Sequence, residues 1–342
     1  MTGHPRFGFR LPTIASAIFL ILLLPLLGLA ACSSSAKTTP KATATPHIAT
    51  RGFKFVLVAD GPASDPFWAL AKKGADQAAT DMGVSVTYQA PDASGGADMG
   101  TLIDNAVATQ PDGLVISIPD CDQLATHIQQ ALLVGIPVIS IHSGSACATK
   151  LGLLNYIGQT DYQAGYAGGQ QMAAAGAKHV LCVNQAVGDP DMNSRCSGVH
   201  DAMKKAGGKT DVLSVDLSNP ASVQQKLQAL LTQDPSIDGV ITLNAAGASV
   251  AIAAALGVIR AHQIVLATFD VSAAVLQAIQ GGHMQFAIDQ QPYLQGYLSV
   301  ALLALYKENL SSVASPTVST GPIFVTSANV TQIAQLEGAG LR

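Results

Sequence analysis

The feature that most constrains this chain is an alternation that starts near residue 53 and continues almost to its end. Short apolar runs of five to seven residues alternate with longer stretches that place apolar residues at i, i+3 and i+4. The runs are "FKFVLVA", "VSVTYQA", "GLVISI", "PVISI", "LLNYIG", "HVLCVN", "DVLSVD", "GVITLN", "IVLATF" and "QFAID"; "QLATHIQQALLV" exemplifies the stretches between them. Runs apolar on both faces belong to parallel strands covered on both sides, and the period-3.6 stretches supply the covering helices. Ten such strands are more than one ordinary sheet takes, so two helix-covered sheets are the economical arrangement. At 342 residues the chain can build two cores, since a single core stops growing near ~250–300 residues. The expected fold is α/β with two lobes.

The first 31 residues stand outside this pattern. Arg6 and Arg10 precede the apolar stretch "LPTIASAIFLILLLPLLGLA", which ends in Ala30-Ala31-Cys32. This resembles the lipobox of bacterial lipoproteins, in which cleavage leaves Cys32 as a lipidated N-terminus. An uncleaved membrane anchor is the alternative, the stretch being close to the ~20 residues a span requires. Either reading puts the rest of the chain outside the cytoplasm, at the outer membrane face or in the periplasm. Residues 33–50, "SSSAKTTPKATATPHIAT", carry no apolar period and read as a flexible tether. Four cysteines remain: Cys121, Cys147, Cys182 and Cys196. An even number outside the cytoplasm suggests two disulfides, and the sequential pairing Cys121–Cys147 with Cys182–Cys196 is the simplest of three. A metal site using Cys121 and Cys147 with His127 or His142 is the rival, without supporting ligand spacing.

Polar residues gather where strands end. Asp60 and Asp65 follow the first run, His142 and Ser143 follow "PVISI", and Asn184, Asn244 and Asp270 follow later runs; Asp289-Gln290-Gln291 closes "QFAID". Ligands of open parallel sheets bind just beyond the carboxyl ends of the strands. Two lobes facing each other across these rims would enclose a polar, uncharged-to-acidic cleft. The segment "SDPFW" adds two aromatics where a helix should begin. A sugar ring has apolar C–H faces and a polar edge, so an aromatic beside carboxylates and amides recognises both. Asp65 would also cap that helix, with Pro66 at its first position.

The segments "DPFWALAKKGA", "IPVISIHSG", "YIGQTDYQAGYAGG", "SRCSGV", "ATFDVSAAVLQAIQGG" and "FAIDQQPYLQGY", in this order and spacing, resemble periplasmic-type sugar-binding proteins of ABC importers. The resemblance is to the ribose-binding branch, which shares its fold with the ligand cores of LacI-type repressors, and it spans roughly residues 53 to 330. It implies a type I periplasmic-binding-protein fold: each lobe a parallel sheet covered by helices, with three hinge crossovers. The expected division is 1–31 signal peptide, 32–52 lipidated Cys32 and linker, 53–158 plus 291–325 N-terminal lobe, and 159–290 plus 326–342 C-terminal lobe.

The resemblance implies ligand contacts at Asp65, Phe67, Trp68, Asn244, Asp270 and Gln290; the alternatives are a helix cap for Asp270, an Asx turn for Asn244 and a hinge hydrogen bond for Gln290. It puts Asn193 where ribose binders carry an arginine, and His142-Ser143 where they carry Asp-Arg, so His142 and Asn193 join the expected ligand contacts. His142 is either a cleft residue or a loop residue facing water. Arg195 is expected to serve the interior of its lobe or the interlobe contacts. Without an arginine in this set, phosphorylated and acidic solutes are disfavoured.

Net charge −4 and the lack of a basic run leave no electrostatic footprint for nucleic acid. A repressor's DNA-binding helices would fall where the apolar signal lies. No G-x-G-x-x-G, G-x-x-x-x-G-K-[ST] or G-x-S-x-G motif is present, and adjacent His142 and Ser143 would point to opposite faces of a strand. The expectation is therefore a cofactor-free, non-enzymatic, monomeric binding lipoprotein. It would capture a neutral sugar or polyol for ABC permease subunits. The alternative is a receptor of the same fold that presents a sugar-like signal to a membrane sensor kinase.

Overall fold

The structure is a computed structural model that describes residues 51–342 except 63, 92–98, 187 and 259–262. Cys32, the signal segment and nearly all of the linker lie outside the described residues. Among the described residues no helix is long and apolar enough to cross a membrane.

The first lobe runs β1 (Lys54–Val58), α1 (Pro66–Met82), β2 (Ser85–Gln89), α2 (Met99–Ala108), β3 (Gly113–Ile116), α3 (Cys121–Leu133), β4 (Val138–Ile141), α4 (Ser145–Leu151) and β5 (Asn155–Gly158). The second runs α5 (Asp161–Ala174), β6 (His179–Asn184), α6 (Pro190–Lys205), β7 (Lys209–Ser214), α7 (Pro220–Gln233), β8 (Gly239–Thr242), α8 (Ala245–Leu256), β9 (Val265–Phe269), α9 (Ala273–Gln280) and β10 (Phe286–Asp289). The chain then returns through α10 (Pro292–Asn309) and β11 (Thr317–Ser319), and crosses once more into β12 (Ile323–Val325) and α11 (Val330–Gly338). The sheets are β11-β5-β4-β3-β1-β2 and β12-β10-β9-β8-β6-β7. Three crossings join them, after β5, after β10 and between β11 and β12.

Side-chain alternation explains why both faces of the inner strands are apolar. Val56 and Val58 pack on the core under α2 and α3, while Phe55 and Leu57 pack against α1 and α10. Leu181 and Val183 face α7 and α8, whereas Val180 and Cys182 face α5 and α6.

Each quoted apolar run overlaps a strand, but β11 and β12 are additional. The second of them changes two expectations. It pairs antiparallel with β10, so the second sheet is parallel except at this edge, as is common in large α/β sheets. It also belongs to the second lobe, so the last crossing falls before Ile323 rather than after residue 325. At the other end, Arg51 hydrogen-bonds Gly83 and pairs with Glu308 at 3.0 Å, so the folded body already includes the last residues assigned to the linker.

Two close helix pairs fix where the lobes present their helix starts. In the first, α1 meets α10 at Gly74 and Gly296, where an added Cβ would collide with the carbonyls of Tyr293 and Ala71. In the second, α5 meets α6 at Gly165 and Gly198, where it would collide with those of Arg195 and Tyr162. Disulfides join Cys121 to Cys147 and Cys182 to Cys196. The first bond consumes both thiols of the rival metal site. Among the described residues no group of three or more His, Cys, Asp or Glu is placed to hold a metal ion.

Candidate functional site

Parallel strands send their helices away from one rim, so several helix starts face the interlobe cleft. Asp65 caps α1 through Oδ1, which accepts from the N–H groups of Phe67 at 2.8 Å and Trp68 at 3.4 Å. Asp120 caps α3 and Asp189 caps α6 in the same way, while Asn244 caps α8 and Ser272 caps α9. Pro66 and Pro190 occupy first helical positions, where the missing N–H costs nothing.

The cleft holds two adjoining cavities. The larger, 740 Å³, lies between Asp60, Trp68, Asp120 and His142 of the first lobe and Gln185, Asp189 and Met192 of the second. The smaller, 240 Å³, is bordered by Leu70, Ala245, Ser249, Asp270 and Arg342. Asp65, Phe67 and Asn244 line both. The lobes touch across the cleft where the Gly144 N–H donates to Asp191 at 3.3 Å.

Phe67 is half-buried and leads a cluster of rings. It lies 4.3 Å from the His142 ring and 5.1 Å from Trp68, centroid to centroid; Trp68 meets His142 edge-on at 5.4 Å. Trp68 is only 4% exposed and packs mainly in the core, with its edge on the larger cavity. His142 has a left-handed backbone, and its Nδ1 is buried without a hydrogen-bond partner. Burial, aided by the positive charge of Arg195, lowers its pKa to about 3, so the ring is neutral.

A buried relay holds Asp270. Arg195 donates to Asp161 at 2.7 Å, to the Leu243 carbonyl at 3.1 Å and to Gln290 Oε1 at 3.3 Å, and stacks on Phe269 at 4.6 Å. Gln290 in turn donates to Asp270 at 2.6 Å. Burial raises Asp270 to about 6 even though Arg195 opposes it. Burial likewise raises Asp60, which accepts from Ser117 at 3.0 Å, to about 6. Asp191, on the first turn of α6, is raised to about 7 by burial and then by Asp161 and Asp189.

Of the residues singled out in the sequence, Asp65, Phe67, Trp68, His142, Asn244 and Asp270 come together at the cleft. Two do not reach it. Asn193 lies on the exposed side of α6, accepting from Asn184 at 3.0 Å, and lines neither cavity. The helix phase turns Asp191 and Met192 inward in its place. Gln290 is fully buried, and both ends of its amide are engaged by Asp270 and Arg195, so it positions a cleft residue without lining the cavities. Arg195 lies inside its lobe, as expected. Asp120, Gln123, Asp189 and Met192 line the cleft without having been singled out in the sequence. The "IPDCD" and "GDPDM" segments offer the signal, an Asp at a strand-to-helix turn.

A two-lobed body whose strand ends and helix starts enclose a polar cavity floored by an aromatic ring defines a receptor that closes around a small polar molecule. The chain belongs to the periplasmic binding protein domain family, whose model matches residues 55–309. Its fold is the type I form of that family. The members bind solutes rather than transform them, and membership implies an extracytoplasmic location. Among similar solved structures is a carbohydrate transporter from Acidothermus cellulolyticus 11B in complex with myo-inositol. It is 38% identical, with TM-score 0.78 over 85% of this chain and 100% of that one. A periplasmic ribose ABC transporter from Conexibacter woesei is 22% identical, with TM-score 0.73 over 85% and 98% of the two chains, and shares the fold. The xylose/arabinose-binding protein XylF of Sulfolobus acidocaldarius is 23% identical over 324 residues, covering 86% of this chain and 79% of that protein.

Proposed function

We propose that this protein captures a sugar or cyclic polyol ring between its lobes and delivers it to an ABC permease, held at the outer membrane face by a lipid on Cys32. One observation carries the reading. Phe67 forms the wall shared by both cavities, with Asp65 and Asn244 beside it, His142 on one side and Asp270 on the other. An apolar face edged by hydrogen-bonding groups from both lobes complements a ring with apolar faces and hydroxyl edges. A ring bonded to both rims favours the closed state, because a ligand shifts a lobe equilibrium only by binding one state more tightly than the other. The myo-inositol complex of the 38% identical relative supports the same ligand class.

The proposed contacts are Asp65, Phe67, Trp68, His142, Asn244 and Asp270, with Gln290 positioning Asp270. A thermal-shift screen of the purified chain against inositols, hexoses and pentoses tests the reading, followed by Trp68 emission with each hit. The expected result is a stabilising ligand that also changes Trp68 emission. No stabilising ligand, or a hit that leaves Trp68 emission unchanged, contradicts it. Loss of membrane association in Cys32→Ser, with ligand binding retained, tests the anchor separately.

A further inference from the structure

The charge around the larger cavity is one-sided. Asp60, Asp65, Asp120 and Asp189 line it, and no Lys or Arg is among its described lining residues. Two guanidiniums of the second lobe are committed to ion pairs, Arg195 to buried Asp161 and Arg342, on the smaller cavity, to Asp289, each at 2.7 Å. Neutral His142 supplies no countercharge. The starts of α1, α3 and α6 offset part of the charge, but a helix end is equivalent to about half a charge, which leaves the four carboxylates in surplus. The cap bonds of Asp65 and Asp189 use Oδ1, and no described residue donates to the Oδ2 of either. The buried, unpartnered Nδ1 belongs to His142, another wall of the same cavity. Mutual repulsion also registers in the titration of the neighbours: Asp189 and Asp65 raise Asp60 further, beyond the effect of its burial.

We propose that the larger cavity selects a ring bearing a primary ammonium group, an amino sugar or aminocyclitol, over its neutral parent, with the ammonium facing Asp65 and Asp189. This rests on the sugar-receptor reading above and narrows it. Exclusion of anionic solutes follows from missing cations; preference for a cationic one follows from carboxylate oxygens without a donor in the cavity that Phe67 also lines. An ammonium offers three donors and no acceptor, matching a wall of acceptors.

Calorimetric titration of the full chain at pH 7 with matched pairs tests it: scyllo-inositol and scyllo-inosamine, D-glucose and D-glucosamine, D-galactose and D-galactosamine. The expected result is at least tenfold tighter binding of the aminated member in a pair that binds, with the ratio shrinking in 0.5 M NaCl. Asp189→Asn keeps a capping side chain and removes the charge, so the amine-to-neutral ratio should fall towards one. Equal or weaker binding of the amine where the neutral ring binds overturns the proposal and leaves the sugar-receptor reading standing. So does a preference undiminished in Asp189→Asn. Failure of every pair to bind overturns the proposal, and the sugar-receptor reading then stands or falls on the inositol, hexose and pentose screen.

Discussion

His142 and Asp270 hold the same structural position in the two lobes. Each directly follows the fourth strand of its lobe, and each has a left-handed backbone, with φ of 66° and 65°. Each also donates its N–H to the next strand, to Ile157 at 3.2 Å and Ile288 at 2.9 Å. The lobes therefore bring equivalent residues to the cleft, one to each cavity, and non-glycine residues in this conformation, at a cost on the order of 1–3 kcal/mol, are typical of ligand clamps.

This relationship makes Asp270→Asn a clean probe, because Asn tolerates the left-handed region and keeps the side-chain shape. Hydrogen bonds to a charged group are worth about 1.5–3 kcal/mol, against about 1 kcal/mol for neutral ones. Ligand affinity should fall roughly tenfold at about 1.4 kcal/mol per decade, with the fold intact by circular dichroism.

The buried titrating groups predict opposite pH dependences. Asp60, raised to about 6, keeps its proton in the folded chain where the unfolded carboxyl has lost it. Its stabilising contribution is full below about pH 4 and is lost as pH rises towards 6. Asp60→Asn should therefore gain stability over the wild type between pH 4 and 7, by roughly 2–3 kcal/mol at about 1.4 kcal/mol per pKa unit. His142, lowered to about 3, does the reverse: its contribution is present above about pH 6.5 and is lost as pH falls towards 3. His142→Asn should gain over the wild type as pH falls from 6.5 to 4. Urea unfolding at four pH values measures both slopes, and a parallel dependence in the wild type and either variant contradicts the assignment for that residue.

The eight inner strands are legible in the sequence because burial on two sides leaves an unmistakable pattern, and the edge strands β2 and β7 carry a weaker, partly exposed version of it. The two three-residue strands, "TVS" and "IFV", are not, since their pairing is decided by β5 and β10, more than thirty residues away. Helix starts are legible too: Asp65 caps and lines the cleft together, as "SDPFW" implies. Asn193 escapes a sequence reading because the first turn of α6 can be phased several ways, and packing of Met192 and Arg195 chooses one. Gln290 reads as either a ligand contact or a hinge hydrogen bond, because a sequence shows an amide but not that Arg195 and Asp270 occupy both of its ends.

The disulfides brace the two walls of the cleft. Cys121–Cys147 ties the start of α3 to α4 beyond His142, and Cys182–Cys196 ties β6 to α6 behind Asp189. Loop-closure entropy makes each worth about 3–3.5 kcal/mol. Each double Cys→Ser variant should lose stability of that order in denaturant unfolding, and an unchanged midpoint contradicts a bracing role.

Glycines at the helix crossings carry the geometry inward. Gly165→Ala would push α5 from α6 at the Arg195 carbonyl, and Gly296→Ala would push α10 from α1 at that of Ala71. Overpacking costs about 1–3 kcal/mol. Both variants should melt earlier, and both should bind ligand more weakly, because α6 carries Arg195 and α1 carries Phe67.

The most direct test of the central claim is a calorimetric comparison of the wild type with Phe67→Ala, using the sugar or cyclitol that gives the largest thermal shift. If the ring lies against Phe67 between the lobes, the variant should stay folded and lose roughly 1.5–3 kcal/mol of binding energy, the range for burying such a side chain, a weakening on the order of tenfold to a hundredfold. An unchanged dissociation constant would mean that the ligand binds elsewhere.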